Sequence, residues 1–340
     1  MITPGGNRYE VVLQDKYYMR ELIEDLSLEE SLDEIAYRSN VKMAVTPDFP
    51  IIGPGQEIRV SGIEFDGKNM VYLLNPGVVW SCDSSNTGFK HINVTVYDRT
   101  IYLSKSEDEK LMAAGQTASQ RLKQYAADWN IPIAKIPDTQ IPLGRSMYRT
   151  RSIYAMMQAD LKETATKGGK LYRPRMTPAG LELFEIGSNA TVWVLDIEQN
   201  VENISQMRTL EDVVTQVKVL GTDQKLSGSP NDEVPAPIIA IEKGDTERYG
   251  TLQKIIQDDK INTVAEARKA AANMLTGIQE TFTMTAIDIN TIRAGDKVIL
   301  SGMELIVTSV LHELGNPGHM TLELASLDYV RRRYFMDGPF

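Results

Sequence analysis

Apolar and polar residues alternate near both ends of the chain, whereas the middle carries apolar stripes at helical spacing. Alternation marks half-buried strands, because successive side chains on a strand face opposite ways. On that basis Tyr9-Glu-Val-Val-Leu is a first strand, and Val41-Lys-Met-Ala-Val-Thr is another that Pro47 stops. Glu57-Ile-Arg-Val alternates charged and apolar residues, and the run Ile92 to Leu103 reads as the longest strand. Ser27 to Tyr37 reads two ways. Leu28, Leu32 and Ile35 have helical spacing, yet Ser-Leu-Glu-Glu-Ser-Leu also suits a polar edge strand.

Helices are expected over 117–129, with Leu122, Tyr125, Ala126 and Trp129 on one face, and over 152–165, with Ile153, Met156, Met157 and Leu161. Thr117 or Ser119 can cap the first, and Gly168-Gly169 ends the second. Between them, prolines at 132, 137 and 142 impose an extended connector. Leu181–Ile186, Ala190–Ile197 and Val213–Leu220 read as strands, and the polar stretch 221–237 as a loop. Leu252, Ile255 and Ile256 suggest a helix. A further helix, 264–276, opens on a capping box in which Thr263 is followed three residues later by Glu266. Residues 281–327 return to alternation as a four-stranded meander whose last turn is Gly315-Asn-Pro-Gly.

Two β segments share one grammar. Residues 55–65 read GQEIRVSGIEF and residues 295–305 read GDKVILSGMEL. A glycine opens each, an apolar strand follows, then Ser-Gly, then an apolar-acidic return. A second echo follows in the same order, His91-Ile-Asn-Val-Thr-Val and His319-Met-Thr-Leu-Glu-Leu. The first copy is longer, and Asn75-Pro-Gly with Cys82-Asp-Ser-Ser-Asn-Thr-Gly supply turn residues for its insertion. The pattern implies one β module present twice, with Gly55 and Gly295 opening equivalent hairpins.

At 340 residues the chain exceeds one ordinary core, and its 42% apolar and 24% charged residues are those of a globular protein. No apolar run is long enough for a membrane span, and the N-terminus shows no secretory h-region, so synthesis and folding in the cytoplasm are expected. The net charge of −10 argues against nucleic-acid binding, which needs basic surface. The single cysteine, Cys82, makes neither an internal disulfide nor a zinc cluster.

The three histidines, His91, His312 and His319, fall in or beside strands without helical metal-pair spacing. Cys82 with His91 is the one candidate nucleophile couple, and nothing supplies its orienting third group. Gly53-Pro-Gly55 leads into a strand, so it reads as a turn and not a phosphate loop. Trp80, Trp129 and Trp193 are scattered and read as core. Neither catalytic, cofactor-binding nor metal residues are expected, and the chain reads as a non-enzyme. The basic-aromatic end, Arg331-Arg-Arg-Tyr-Phe-Met-Asp-Gly-Pro-Phe, reads as a docking peptide or as a frayed terminus.

The stretches Asp245-Thr-Glu-Arg-Tyr-Gly-Thr-Leu-Gln-Lys, Ala265-Glu-Ala-Arg-Lys-Ala-Ala and Ile292-Arg-Ala-Gly-Asp-Lys-Val resemble the XkdQ/YqbQ family. Thr209 to Gly221, Trp80-Ser-Cys-Asp and the Ile92–Leu103 run are also similar to it. The family comprises baseplate hub proteins of contractile phage tails, prophages and tail-like bacteriocins. The resemblance implies an α+β, mostly β fold with two tube-like β-barrel domains and a helix-containing insert between them. The expected division is 1–112 for the first tube-like domain, 113–188 for the insert, 189–330 for the second with helices about 247–276, and 331–340 for the tail. It implies a homotrimer that adapts the sixfold tail tube to a threefold spike. Its partners would be the tail tube protein, the spike protein, the tape-measure protein and other baseplate proteins, with no sequence-specific nucleic acid and no membrane. The alternatives are a tail-associated peptidoglycan hydrolase and the hub of a related secretion system.

Overall fold

The computed structural model describes residues 8–86, 90–196, 200–221, 235–257 and 263–336. The chain forms two compact units, Met1–Ser205 with Phe282–Phe340, and Gln206–Thr281.

Seven strands come first: β1 (Tyr9–Leu13), β2 (Tyr17–Tyr18), β3 (Ile23–Ser31), β4 (Arg38–Ala44), β5 (Glu57–Ile63), β6 (Met70–Asn86) and β7 (Lys90–Asp98). A mixed stretch follows with α1 (Ile101–Lys105), β8 (Glu107–Met112), α2 (Ala118–Asp128), β9 (Ile133–Lys135), β10 (Ser146–Ser152), α3 (Ile153–Thr166), β11 (Tyr172–Thr177) and β12 (Gly180–Glu185). Next are β13 (Trp193–Leu195), β14 (Val201–Thr209), β15 (Gln216–Leu220), β16 (Ile238–Lys243), α4 (Thr246–Tyr249), β17 (Gln253–Gln257) and α5 (Val264–Met274). The chain then runs through β18 (Gln279–Ile287), β19 (Lys297–Leu300), β20 (Met303–Glu313), β21 (His319–Ala325) and α6 (Leu327–Val330) into a wide helical turn, Arg331–Met336.

The chain is mostly β with few helices. One thirteen-stranded sheet runs β14-β18-β21-β20-β3-β4-β7-β6-β5-β1-β2, with β19 on β20 and β13 on β19. Among the described residues this order is open and no barrel closes, where sequence similarity implied two barrels. The reason lies in β20. One of its edges pairs β19 over Met303–Ile306 and then β3 over Ser309–Glu313, so pairing continues into the first half of the chain instead of curling back.

The ambiguous segment 27–37 is strand as far as Ser31 and irregular from Leu32 to Tyr37. Leu26, Leu28 and Glu30 of β3 face inward at period two, as its alternating burial records. Four expectations need correction. Asn75-Pro-Gly and Cys82–Asn86 do not form turns but lie inside β6, the longest strand; residues 87–89 fall outside the described residues. The run from Ile92 ends as a strand at Asp98, because the buried Asp98 carboxylate accepts from Thr100 N at 2.8 Å and from Thr100 Oγ1, which turns the chain into α1. Leu252–Ile256 is not a helix. Gln253–Gln257 forms β17, which pairs β15 in parallel. In the last stretch β19, β20 and β21 are successive antiparallel neighbours, but β18 lies beside β21 and not β19, so the four strands are not a simple meander.

Helices α2 and α3 fall where their stripes and caps place them. Thr117 accepts from Gln120 N and Gln120 reaches back, so α2 begins on a complete capping box. Ser152 caps α3. Their apolar faces meet in a core of Leu122, Tyr125, Met156, Met157 and Leu161. Inside it, Asp160 accepts from Arg121 Nη1 at 2.6 Å, Tyr148 OH at 2.7 Å and Tyr125 OH at 3.0 Å, which ties α2, α3 and β10 together.

In the second unit, β15 pairs β16 antiparallel and β17 parallel. Val217 and Val219 of β15 pack under Ala267 and Ala271 of α5. Helix α5 starts on the expected Thr263–Glu266 capping box. Most of the polar loop 221–237 lies outside the described residues.

Candidate functional site: a duplicated assembly module

The two echoed segments are copies of one five-stranded module. In the first, β3, β4, β5, β6 and β7 stand in the spatial order β3-β4-β7-β6-β5. In the second, β14, β18, β19, β20 and β21 stand in the order β14-β18-β21-β20-β19. With strands named a to e in chain order, both are a-b-e-d-c.

The hydrogen bonds match residue for residue. Gly55 N donates to Val79 O at 2.8 Å, and Val79 N returns to Gln56 O at 2.9 Å. In the second copy Gly295 N donates to Val307 O at 2.7 Å, and Val307 N returns to Asp296 O at 2.9 Å. Both glycines are left-handed, with φ of 89° and 92°, where a side chain is strained. Each d strand then carries an irregularity at the same point, between Val79 and Ser81 opposite Val96 and Thr95, and between Val307 and Ser309 opposite Leu324 and Glu323. Where strand b ends, Val45 N donates to Lys90 O and Asp288 N donates to Gly318 O, both at 2.9 Å. His91 and His319 are therefore equivalent positions at the start of strand e.

The Ser-Gly element of the echo does not survive. Ser301 and Gly302 form the tight β19–β20 turn, with φ of 48° and 82°. Ser61 and Gly62 sit inside β5, paired with Glu10 and Tyr9 of β1. Tyr9 ring atoms would lie 2.8 and 2.9 Å from a Cβ at Gly62, so glycine serves close packing there.

The modules join edge to edge. Strand a of the first, β3, pairs strand d of the second, β20, beyond the point where β19 ends. Glu30 of β3 is buried in this junction. Arg293 holds both its oxygens at 2.5 and 2.7 Å, Ala294 N donates to it at 3.1 Å, and Arg173 Nη2 lies 3.3 Å away. Burial alone would raise the Glu30 carboxyl, but Arg293 and Arg173 overcome it and hold the group down to about 2. Arg293 stacks over the Tyr37 ring at 4.1 Å, and Arg173 Nη1 donates to Ala294 O at 3.0 Å, which brings the insert onto the junction.

The residues singled out for chemistry are dispersed. His91 Nδ1 lies 2.9 Å from Glu24 Oε2, and His319 Nδ1 lies 3.0 Å from Glu202 Oε1. His312 is fully buried, with Nε2 donating to Ile292 O at 2.9 Å and Nδ1 2.6 Å from Asp288 Oδ1. Cys82 is half-buried and donates weakly to Ile52 O. His91 stands opposite Ser85, three positions along β6 from Cys82. Among the described residues no group of three or more His, Cys, Asp or Glu could hold a metal ion, and no helix is long and apolar enough to cross a membrane. Gly53-Pro-Gly55 leads into β5 as a turn. Trp129 and Trp193 pack partly buried against cores, but Trp80 is 38% exposed beside Tyr97 and Tyr102, against the expectation of a core residue. The basic-aromatic end is neither frayed nor free over Arg331–Met336. Phe335 is buried in the core that contains α3.

Sequence comparison matches residues 26–325 to the YqbQ-like family. Among curated proteins, none matches the sequence. The fold is that of prophage tail proteins. It is similar to the 43 kDa tail protein of prophage MuSo2 from Shewanella oneidensis, at 13% identity and TM-score 0.71, covering 95% of this chain and 99% of that one. It is also similar to a tail protein from Neisseria meningitidis, at 16% identity and TM-score 0.67, covering 94% and 97%. A more distant likeness, at 10% identity and TM-score 0.53, is to an Escherichia coli type VI secretion component described as resembling T4 tail proteins gp27 and gp5, covering 93% and 77%.

Proposed function

The chain belongs to the YqbQ-like family, and we propose that it is the central hub of a contractile tail baseplate, a homotrimer that adapts a sixfold tail tube to a threefold spike. The observation that carries this reading is the matched hydrogen-bond set of the two modules, Gly55–Val79–Gln56 and Gly295–Val307–Asp296. A chain with two equivalent modules presents six of them in a trimer. Such a ring offers sixfold-like contacts to a tube while keeping true threefold symmetry for a spike. The likeness to a protein described as resembling gp27 supports the same reading.

The hub's work in this reading is mechanical. The first module (1–112) and the second (189–330, with residues 210–278 inserted in sequence between its strands a and b) form the ring. The insert (113–188) buttresses the junction through Arg173, and the tail segment (331–340) is anchored over Arg331–Met336 by Phe335. The tube protein, the spike protein and the tape-measure protein are the partners, in a particle assembled within the bacterial host. An acidic channel wall would repel passing DNA, consistent with the net charge of −10.

The test is native mass together with symmetry in isolated tails. A trimer on the tail axis is expected; a strict monomer absent from tails overturns the reading. Clearing of cell wall by the purified chain in a zymogram would favour the peptidoglycan-hydrolase alternative.

A further inference from the structure

A cavity of about 630 Å³ lies within the unit Met1–Ser205 with Phe282–Phe340, among the β5–β6 hairpin, the insert and the turn before β19. Its size falls in the ~300–1,000 Å³ range of small-molecule sites. Tyr37, Arg175, Glu182, Arg293 and Asp296 give it a polar lining, and Phe65, Tyr72 and Trp193 an aromatic one.

The polar groups hold one another in place. Arg175 stacks on Phe184 at 3.7 Å, donates from Nε to Glu182 Oε2 at 3.1 Å, and lies with Nη1 3.4 Å from Asp296 Oδ1. Asp296 also accepts from Arg293 N at 2.9 Å, while Arg293 commits Nε and Nη2 to Glu30. Arg175 Nη2, Arg293 Nη1 and Glu182 Oε1 keep no partner among the described residues. Neither does the Tyr37 hydroxyl, although Tyr37 is only 2% exposed. A buried hydroxyl left unpaired is costly, and a bound molecule that supplies its partner accounts for it.

This lining disfavours a charged ligand of either sign. Each guanidinium already faces a carboxylate, so an anion meets Glu182 and Asp296, and a cation meets Arg175 and Arg293. An extended peptide needs an open strand edge, but β12, which forms one wall, is paired by β11 on one side and β9 on the other. The groups left over both donate and accept, which suits a neutral ligand rich in hydroxyls, each of which does both. Rings stand ready for its apolar faces. Phe65, 39% exposed, meets Trp193 edge-on at 5.6 Å, and Tyr72 is 48% exposed. We propose that this cavity binds a neutral saccharide, with its hydroxyls on Arg175, Glu182, Arg293 and the Tyr37 hydroxyl and a sugar face on Phe65. Such a site binds without cleaving and needs no second copy of the chain.

Titration calorimetry of the full-length chain with maltotriose, chitotriose, trilysine and triglutamate tests the assignment. At least one of the two trisaccharides is expected to bind saturably at millimolar concentration, and neither charged peptide. Phe65→Ala should weaken that binding about tenfold. Tyr37→Phe removes a hydroxyl but no hydrogen bond of the free chain, so affinity should fall while the urea midpoint holds or rises. Retention of the chain on purified bacterial cell-wall glycan would identify a surface polysaccharide as the source, and trisaccharide binding without retention a free sugar. Three results overturn the site: no binding of either trisaccharide, tighter binding of a charged peptide, or affinity unchanged in the folded Phe65→Ala and Tyr37→Phe chains.

Discussion

Arg293 grips both carboxylate oxygens of Glu30 across the junction of the two modules, at 2.5 and 2.7 Å, with the Glu30 side chain fully buried. Removing one member of such a pair strands the other charge in a dry site, at a cost of about 3–5 kcal/mol. Glu30→Gln is therefore expected to lower stability by about that amount, read as a shift of the urea midpoint. Adding Arg293→Met removes the stranded charge, so the double variant should lose less than the sum of the two single changes. A strictly additive double-mutant cycle would show that the contact carries no coupling.

Acid should act on the junction in two opposite senses. Burial pushes the Asp98 carboxyl up from 3.8 to about 6, so the folded chain holds that proton more tightly than the unfolded one. Between about pH 6 and 4, acidification stabilises through Asp98, by about 3 kcal/mol for two pH units. Glu30 runs the other way. Its carboxyl is held at about 2 against a usual 4.5, so its contribution is full above about pH 4.5 and is lost as pH falls toward 2. Urea midpoints measured from pH 7 to pH 2 should show Asp98→Asn abolishing the rise, while Glu30→Gln flattens the later fall. If neither variant changes its limb, the assignments are wrong.

Asp160 binds the insert in the same manner. Its oxygens accept from Arg121, Tyr125 and Tyr148, and Arg121 is fully buried. Asp160→Ala should cost about 3–5 kcal/mol, because the guanidinium loses its counter-charge. Arg121→Met alongside it should recover part of the loss. Thermal unfolding of the three variants checks the ordering.

Local chemistry made the helices legible. Thr117, Ser152 and Thr263 cap α2, α3 and α5 where hydroxyl residues precede apolar stripes. β6 is hard to read from sequence because, among the described residues, no strand pairs the outer edge of its second half. Ser81, Asp83, Ser84 and Ser85 can be polar there, and Pro76 and Gly77 sit where the pairing is irregular, so turn residues occupy a strand. The sequence of β17 suits a helix as well as a strand because three apolar residues satisfy either period when the segment is short. Of the assembly module, the opening glycines and the paired histidines were visible. Glu30 and Arg293 are not, since Glu30 sits in an acidic run and Arg293 in a turn-like stretch, and neither setting carries a sign of burial. Asp160 likewise interrupts the α3 stripe of Met156, Met157 and Leu161 with nothing in its neighbours to announce three donors.

The two opening glycines should respond unequally to one change. Both hold a left-handed backbone, so Gly55→Ala and Gly295→Ala share a strain of order 1 kcal/mol. Their surroundings differ. A Cβ at Gly55 meets nothing within 4 Å, whereas one at Gly295 meets Arg173 Cδ at 3.0 Å and the Phe184 ring at 3.6 Å. Arg173 cannot withdraw freely, because it bonds Ala294 O and faces Glu30. Gly295→Ala should thus pay the backbone strain and also loosen the module junction, giving a loss larger by about 1–2 kcal/mol than Gly55→Ala. Urea denaturation of the two variants compares them directly. Equal losses would mean that Arg173 yields without cost, and that the insert does not brace the junction through this side chain.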